Sequence, residues 1–347
     1  MTQESEARKR RGSGRATIHD VARAAGVGSI TVSRYFKQPA QVSAALSLRI
    51  AAAVKSLNYL PNLAAGGLAS THARIVGMVI PNISGPIFAH TIQSFSDVLS
   101  AHGYQLLLAS SYFSVEQEEA AVRTFLGWSP AALVVTGQYH TRATVQLLNT
   151  ANIPVVETWD YQPRRKYMQV GFSHYEVGQQ AARYLLKKGY KRIAFAQNSV
   201  AGDESAIDRR DGYADIMREA GLEPWFFLPT AATPFDAGKQ AMETLAMRKR
   251  HAAEAIIFAN DNLAASAILA GQRAGIRMPE QCAIVGFGDY AMSSMLLPSL
   301  TTIRPPAKEI GEIAAMRILE SLGEIPASKN VQRLNLLQCE LLERESA

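Results

Sequence analysis

Two sets of side chains in this 347-residue chain have the types and spacing for molecular recognition. The first lies in Thr17–Phe36, TIHDVARAAGVGSITVSRYF. Helical spacing turns Val32 and Tyr35 or Phe36 inward and leaves Ser29, Ile30, Ser33 and Arg34 outward on a short, slender helix. Such a helix fits the DNA major groove, and its N-terminal end would meet the base edges. The alternative is an αα-hairpin inside a larger core. The second set stands at or near the ends of apolar runs: Glu157, Trp159, Asp160, Asn260 and Asp289, with Arg209 expected at a helix start. Carboxylates and amides bond hydroxyls, a guanidinium grips an anion, and an indole stacks on an apolar face. Each has a structural alternative: a packed core indole for Trp159, loop capping for Asn260 and Asp289, simple solvation for Glu157 and Asp160. A cation at a helix start opposes the helix dipole, so Arg209 needs an anionic partner, either a ligand or a neighbour such as Asp208 or Asp211.

The elements that would present these groups are legible in outline. Thr17 is an N-cap type, and Ile18, Val21, Ala22 and Ala25 form one apolar helix face. Gly26 sits where the chain must turn, and Val27 plugs the angle before the second helix. A third helix opens with Ser43 as a single N-cap, because Leu46 stands where a capping box needs Glu or Gln. Leu46, Ile50, Val54 and Leu57 line its face, Asn58 is its C-cap, and Pro61 stops it. Residues 16–61 therefore read as a three-helix headpiece with a small, marginal core. Residues 62–72 read as a hinge helix weakened by Gly66 and Gly67, by about 1 kcal/mol each relative to alanine. Residues 1–15 are charged and aperiodic, the composition of a disordered basic arm that lies along phosphates.

From Arg74 the rhythm changes. Strand-like runs at 75–80, 105–109, 132–136, 155–158, 192–196, 255–259 and 283–287 alternate with helical stretches. The expected fold class is α/β: the helix-turn-helix headpiece followed by doubly wound parallel sheets, with ligands at the carboxyl ends of the strands. No Gly-x-Gly-x-x-Gly or phosphate loop follows the first strand, so nucleotide binding has no support, and no cofactor is expected. The histidines show no metal spacing, and Cys282 and Cys339 are too few for a disulfide framework or zinc cluster.

Charge divides the chain sharply. The net charge is +6, but residues 1–70 hold ten Lys or Arg against Glu4, Glu6 and Asp20, a balance of +7 that leaves −1 for the remainder. A polyanion is the natural partner of the headpiece alone. No apolar run approaches the ~20 residues of a membrane span. No secretory signal pattern opens the chain, so a cytoplasmic location is expected. An enzyme of sugar metabolism would need a nucleophile–base pair, metal cluster or cofactor loop, none of which stands out. A periplasmic receptor is opposed by the basic headpiece and the missing signal.

Taken with Val42-Ser43 and Leu57-Asn58-Tyr59-Leu60-Pro61-Asn62, Thr17–Phe36 resembles the headpiece of the LacI/GalR transcriptional repressors. The remainder resembles them through Arg209-x-x-Gly212, Ala259-Asn260-Asp261, Ile284-Val285-Gly286-Phe287 and Pro298-Ser299-Leu300-Thr301-Thr302-Ile303. Within that family, residues 154–160 and 286–289 are similar to the gluconate-utilisation repressors. The resemblance implies a periplasmic-binding-protein-like core over 73–347. One lobe falls at about 73–161 and 291–323, the other at about 162–290 and 324–347. It implies a homodimer, with a tetramer left open, on near-palindromic double-stranded operator DNA, released by a sugar or sugar acid bound in the cleft. Ser29, Ile30 and Arg34 then fall on base-reading positions, and Thr31 and Ser33 on phosphate-contacting ones. Leu68 falls on the leucine that wedges into the minor groove, and Thr17 and Asn62 join the DNA-contacting set. Ser84, Pro86 and Tyr112 fall on loops bordering the cleft, beside Glu157, Trp159, Asp160, Arg209, Asn260 and Asp289. Gly28 departs from the family, which has a hydroxyl residue there, so one phosphate contact is expected to be missing.

Overall fold

The computed structural model describes residues 16–60, 73–163, 166–198, 200, 202–231, 233–247, 251–327 and 334–347. The expectations for the arm at 1–15, Pro61, the hinge at 62–72, Asn62 and Leu68 lie outside the described residues. Two compact units divide at Ala73 and Arg74.

The first unit contains α1 (Ile18–Ala25), α2 (Ser29–Lys37), a 3-10 turn (Pro39–Gln41) and α3 (Ala44–Ser56). Thr17 caps α1 in a full capping box, its hydroxyl taking the Asp20 N–H while Asp20 takes the Thr17 N–H at 2.9 Å. Gly26 ends the helix at φ 60°, a left-handed conformation that glycine adopts without a Cβ clash. The Arg49 guanidinium reaches back from α3 to the Ala25 carbonyl at 2.6 Å, placing a cation on the negative end of α1. Val21, Val32, Ile50, Ala53 and Tyr59 form the core, with Tyr35 packed beside them. Phe36 stays exposed, which settles the inward position in favour of Tyr35. Ser43 occupies the N-cap position of α3 but makes no side-chain cap bond. The C-cap is Leu57 rather than Asn58, which follows it at φ 46°.

The second unit carries two six-stranded sheets. Sheet one uses β1 (Ala73–Ile80), β2 (Gln105–Ser110), β3 (Pro130–Thr136), β4 (Val155–Thr158) and β5 (Met168–Gly171), and adds β11 (Leu334–Leu336) beside β5. Its helices are α4 (Ala89–Ala101), α5 (Val115–Leu126) and α6 (Arg142–Thr150). Sheet two uses β6 (Ile193–Ala196), β7 (Trp225–Phe227), β8 (Ala255–Phe258), β9 (Ala283–Phe287), β10 (Thr301–Arg304) and β12 (Glu340–Leu342). Its helices are α7 (His174–Lys187), α8 (Glu204–Glu219), α9 (Pro234–Leu245) and α10 (Asp261–Arg273). The strand pairings are parallel wherever a register is resolved, save β10 with β12. The central strands of sheet two are buried along their whole length, and β3 of sheet one up to its last residue, as parallel strands covered on both faces must be.

The sheets correct the expected lobe boundaries. β5 lies in sheet one, past the boundary expected at 161. β10 lies in sheet two, although 291–323 was expected in lobe one. Only α11 (Ala307–Ser321) returns there, where Thr91 and Ser94 of α4 donate to the Ala307 and Lys308 carbonyls at 2.6 and 2.9 Å. The tail divides too, β11 joining sheet one and β12 sheet two. The chain thus passes between sheets near Phe172-Ser173, Pro305-Pro306 and Leu337–Cys339. Met168–Gly171 and Leu334–Leu336 do not register as apolar runs because Gln169, Gly171 and Asn335 interrupt them.

Candidate functional site

The headpiece presents α2 with its N-terminus unobstructed. Gly28 stands at the N-cap, with no side chain to close the helix end. Ile30 is 75% exposed and Arg34 is exposed, without an ion-pair partner among the described residues. Thr31 and Ser33 are half-buried flanks. Ser29 is half-buried rather than fully outward, because the first residue of the helix sits inside the turn from α1. Thr17 is exposed, but its hydroxyl is engaged in the cap.

The second candidate site gathers at carboxyl ends of strands in the core. It depends on how closely α7 and α8 approach. A Cβ on Gly178 would collide with the Arg209 carbonyl, and one on Gly212 with the Tyr175 carbonyl, so the helices meet backbone to backbone. That contact brings Arg209 onto His174, the first residue of α7. Arg209 does not start its helix: α8 begins at Glu204, capped by Asp203, and Arg209 lies in the second turn. The helix-dipole argument for an anionic partner therefore falls away. No acid neighbour pairs with Arg209 among the described residues either. Asp208 accepts from the Tyr139 hydroxyl at 3.1 Å, and Asp211 pairs with Arg210 at 2.7 Å.

Arg209 is 6% exposed. It donates to His174 Nδ1 at 2.8 Å and the Ala259 carbonyl at 3.0 Å, and its guanidinium carbon lies 4.3 Å from the Phe287 ring centroid. Its Nε is buried without a hydrogen-bond partner among the described residues. Burial lowers the Arg209 pKa from its ordinary value. Burial, then the adjacent guanidinium, holds His174 well below its ordinary value, so this imidazole is neutral and its Nδ1 accepts.

Trp159 continues the same cluster, hydrogen-bonded to His174 through its backbone. Its indole is not a platform open to a sugar face. Phe88 and Phe172 meet it edge-on, at 4.8 and 5.9 Å between ring centroids. What it offers is Nε1, a buried donor with no hydrogen-bond partner among the described residues. Asp160 beside it is 3% exposed. Its Oδ1 accepts the Tyr161 N–H at 2.7 Å, while Oδ2 is buried and unpartnered among the described residues. Burial and the Asp208 charge outweigh the bonds from the Tyr161 backbone and the Gln138 side chain and raise the Asp160 carboxyl to about 7. Tyr112, Trp159 and Asp289 have φ of 51, 69 and 49°, left-handed values that non-glycine residues adopt only under constraint.

The remaining expected residues divide. Glu157 is wholly buried, bonded by Gln169 Nε2 at 2.8 Å and 3.5 Å from His140 Nε2; it is neither solvated nor open to a ligand. Asn260 caps α10, accepting the Asn262 and Leu263 N–H groups at 3.1 and 3.3 Å. Asp289 is held by Arg304 at 2.8 Å and Arg344 at 2.6 Å, so its carboxylate is already neutralised. Ser84 bonds Asn82 in a tight exposed turn, and Pro86 begins the 3-10 turn that leads to Phe88. Tyr112 is exposed on the loop after β2. Sequence reasoning missed His174 and Tyr139, and named Asp208 only as a partner for Arg209, a pairing the structure does not make. His174 follows β5, whose Gln169 and Gly171 interrupt the apolar run, so it did not appear among the strand ends. Among the described residues, no group of three or more His, Cys, Asp or Glu is placed to hold a metal.

Comparison with known proteins bears on both sites. The model of bacterial regulatory proteins of the lacI family matches residues 17–62, and that of a periplasmic binding protein-like domain matches 182–347. The chain is 32% identical over 305 residues to the HTH-type transcriptional regulator GntR of Escherichia coli K12, covering 88% of this chain and 91% of that protein. It belongs to the LacI family. Family membership makes it a DNA-binding transcriptional regulator and not an enzyme. A LacI-family regulator from Silicibacter pomeroyi has the same fold at a TM-score of 0.88, with 29% identity over 95% of this chain and 99% of that one. The lac repressor dimer, solved on its operator with an anti-inducer, matches at a TM-score of 0.79, covering 96% of this chain and 99% of that one; at 24% identity it supports the fold alone. No helix among the described residues is long and apolar enough to cross a membrane.

Proposed function

We propose that this regulator represses genes of sugar-acid catabolism, binding a near-palindromic operator as a homodimer and leaving it when gluconate or a related aldonic or ketoaldonic acid occupies the crevice. One observation carries the effector reading. Two buried donors, Trp159 Nε1 and Arg209 Nε, and one buried acceptor, Asp160 Oδ2, belong to one aromatic-walled cluster and lack protein partners among the described residues. A polyhydroxy carboxylate supplies what they lack: carboxylate or hydroxyl oxygens for the donors and a hydroxyl for the acid. The similarity of residues 154–160 and 286–289 to gluconate-utilisation repressors points the same way.

On the DNA side, Arg34 is the group able to bond guanine bidentately, and Ile30 offers only an apolar contact, for example to a thymine methyl. Thr31 and Ser33 fit phosphate contacts, and the basic headpiece supplies the sequence-independent attraction. Leu68 is assigned to the minor-groove wedge on the sequence resemblance. The dimeric reading rests on the sequence resemblance to the LacI/GalR repressors, in which two headpieces meet the two halves of a near-palindromic operator. Effector must prefer one state of the core, since equal affinity for both would shift nothing. A gel-shift assay with genomic fragments tests the whole reading. Sequence-selective retardation that gluconate reverses supports it; selective binding indifferent to every sugar acid and neutral sugar in a panel overturns the effector assignment.

A further inference from the structure

A charged cluster lies buried beside the corner at Trp159 and Asp160. His140, in the loop after β3, has a fully buried side chain, and so nearly do its two carboxylate neighbours. Its Nδ1 lies 2.7 Å from Glu118 Oε1 on α5, and its Nε2 3.5 Å from Glu157 Oε1 on β4. The chain of contacts continues. Gln169 on β5 donates from Nε2 to Glu157 Oε2 at 2.8 Å, and its Oε1 accepts the Gln162 N–H at 3.1 Å. Glu157 and Gln162 bracket the corner that holds Trp159 and Asp160. That corner is pressed so close to Gly171 that a Cβ there would strike the Asp160 backbone. Trp159 keeps its left-handed φ of 69° inside this bracket.

We propose that His140 is a positioning residue for effector recognition, its cationic imidazole tying Glu118 to Glu157 and so fixing the corner that presents Trp159 Nε1 and Asp160 Oδ2. This rests on the reading that the corner faces the effector. The charge on His140 is what makes the tie work. A neutral imidazole would leave two buried carboxylates facing each other across it, and the strand end would be free to shift. The charged groups around it are Glu118 and Glu119 of α5 and Glu157 of β4, with Asp160 beyond. Glu119 is occupied by Thr141 at 2.8 Å and Arg123 at 2.9 Å, and β5 contributes only the neutral Gln169. Burial alone would push the His140 pKa down; the bonds and charges of Glu118 and Glu157 reverse that and raise it to about 9. The tie therefore holds at neutral pH and is released as pH rises through about 9.

The test uses the full chain with Trp128→Phe and Trp225→Phe, which leaves Trp159 as the sole indole. Its emission should shift as pH passes about 9. His140→Gln should abolish that transition and weaken gluconate binding about tenfold, as when the support of a binding group is loosened. Operator affinity without ligand should not change. Should His140→Gln fail to fold, Glu118→Gln serves instead: with one carboxylate neutralised, the transition moves to lower pH. An emission flat from pH 8 to 10, or an unchanged transition in His140→Gln or Glu118→Gln, overturns the proposal. If gluconate fails to bind even the parent protein, the effector reading falls, and the emission transition still decides the role of His140.

Discussion

Replacing Asp160 by asparagine should change the slope of stability against pH, not only its level. Burial is the main cause of the raised carboxyl pKa, and Asp208 adds to it, lifting it from 3.8 to about 7. Because the folded value lies above the unfolded one, the carboxyl favours folding most when protonated, and that contribution is lost as pH rises from about 3.8 through about 7. Each unit of difference corresponds to about 1.4 kcal/mol, so the full span amounts to about 4 kcal/mol and the interval from pH 5 to 7 to about 2–3. An asparagine carries no charge to desolvate. Its buried amide costs about 1 kcal/mol at every pH if it lacks a partner, a constant offset that leaves the slope untouched. Thermal melts of wild type and Asp160→Asn at pH 5, 6, 7 and 8 give the comparison directly. The difference should move steadily in favour of the variant and level off above pH 7. A difference that stays constant from pH 5 to 8 would refute the claim that this carboxylate is held in the crevice at a desolvation cost.

Arg209→Met should weaken gluconate binding by about 10–100-fold in calorimetry, the scale of one charge-assisted bond, while operator retardation in gel shifts persists. A variant still released by wild-type effector concentrations would remove Arg209 from the site. Arg34→Ala should cost about 1–3 kcal/mol of specific operator affinity, and competition with point-changed operators should show relaxed preference at one base pair; uniform loss across sequences would make Arg34 a phosphate contact. Asn260→Ala removes the α10 cap and should cost about 1 kcal/mol of stability in denaturant titrations with effector affinity within twofold; a larger affinity loss would make its amide a ligand contact. Leu68→Ala should reduce specific operator binding and spare effector affinity, and equal operator binding would dismiss the wedge.

The headpiece was readable because its signals are local. A cap, an i, i+3, i+4, i+7 face and a left-handed glycine all lie within Thr17–Gly26, and Thr17 and Gly26 act there as expected. The long central strands were readable for a related reason: burial on both faces forces unbroken apolar runs such as Ala283–Phe287. The lobe boundaries failed at strands such as β5 and β11, where Gln169, Gly171 and Asn335 break the apolar run and partners far away in sequence hold the strand in place. Arg209 was singled out for a reason that did not survive, since its partners His174, Ala259 and Phe287 arrive from three separate elements. Glu157 shows the same limit. Nothing local tells a carboxylate facing a crevice from one turned into the sheet against His140 and Gln169.

The glycine seam between α7 and α8 has a genetic consequence. Gly178 and Gly212 face helix backbone, yet a single methyl group on either would wedge the two helices apart and carry Arg209 away from His174. On the proposed function, cells with such an allele would keep the target genes silent and fail to grow on the sugar acid, though the mutated codon lies in a seam between helices. Selections for uninducible strains should therefore return alanine at these two codons alongside changes in the crevice itself.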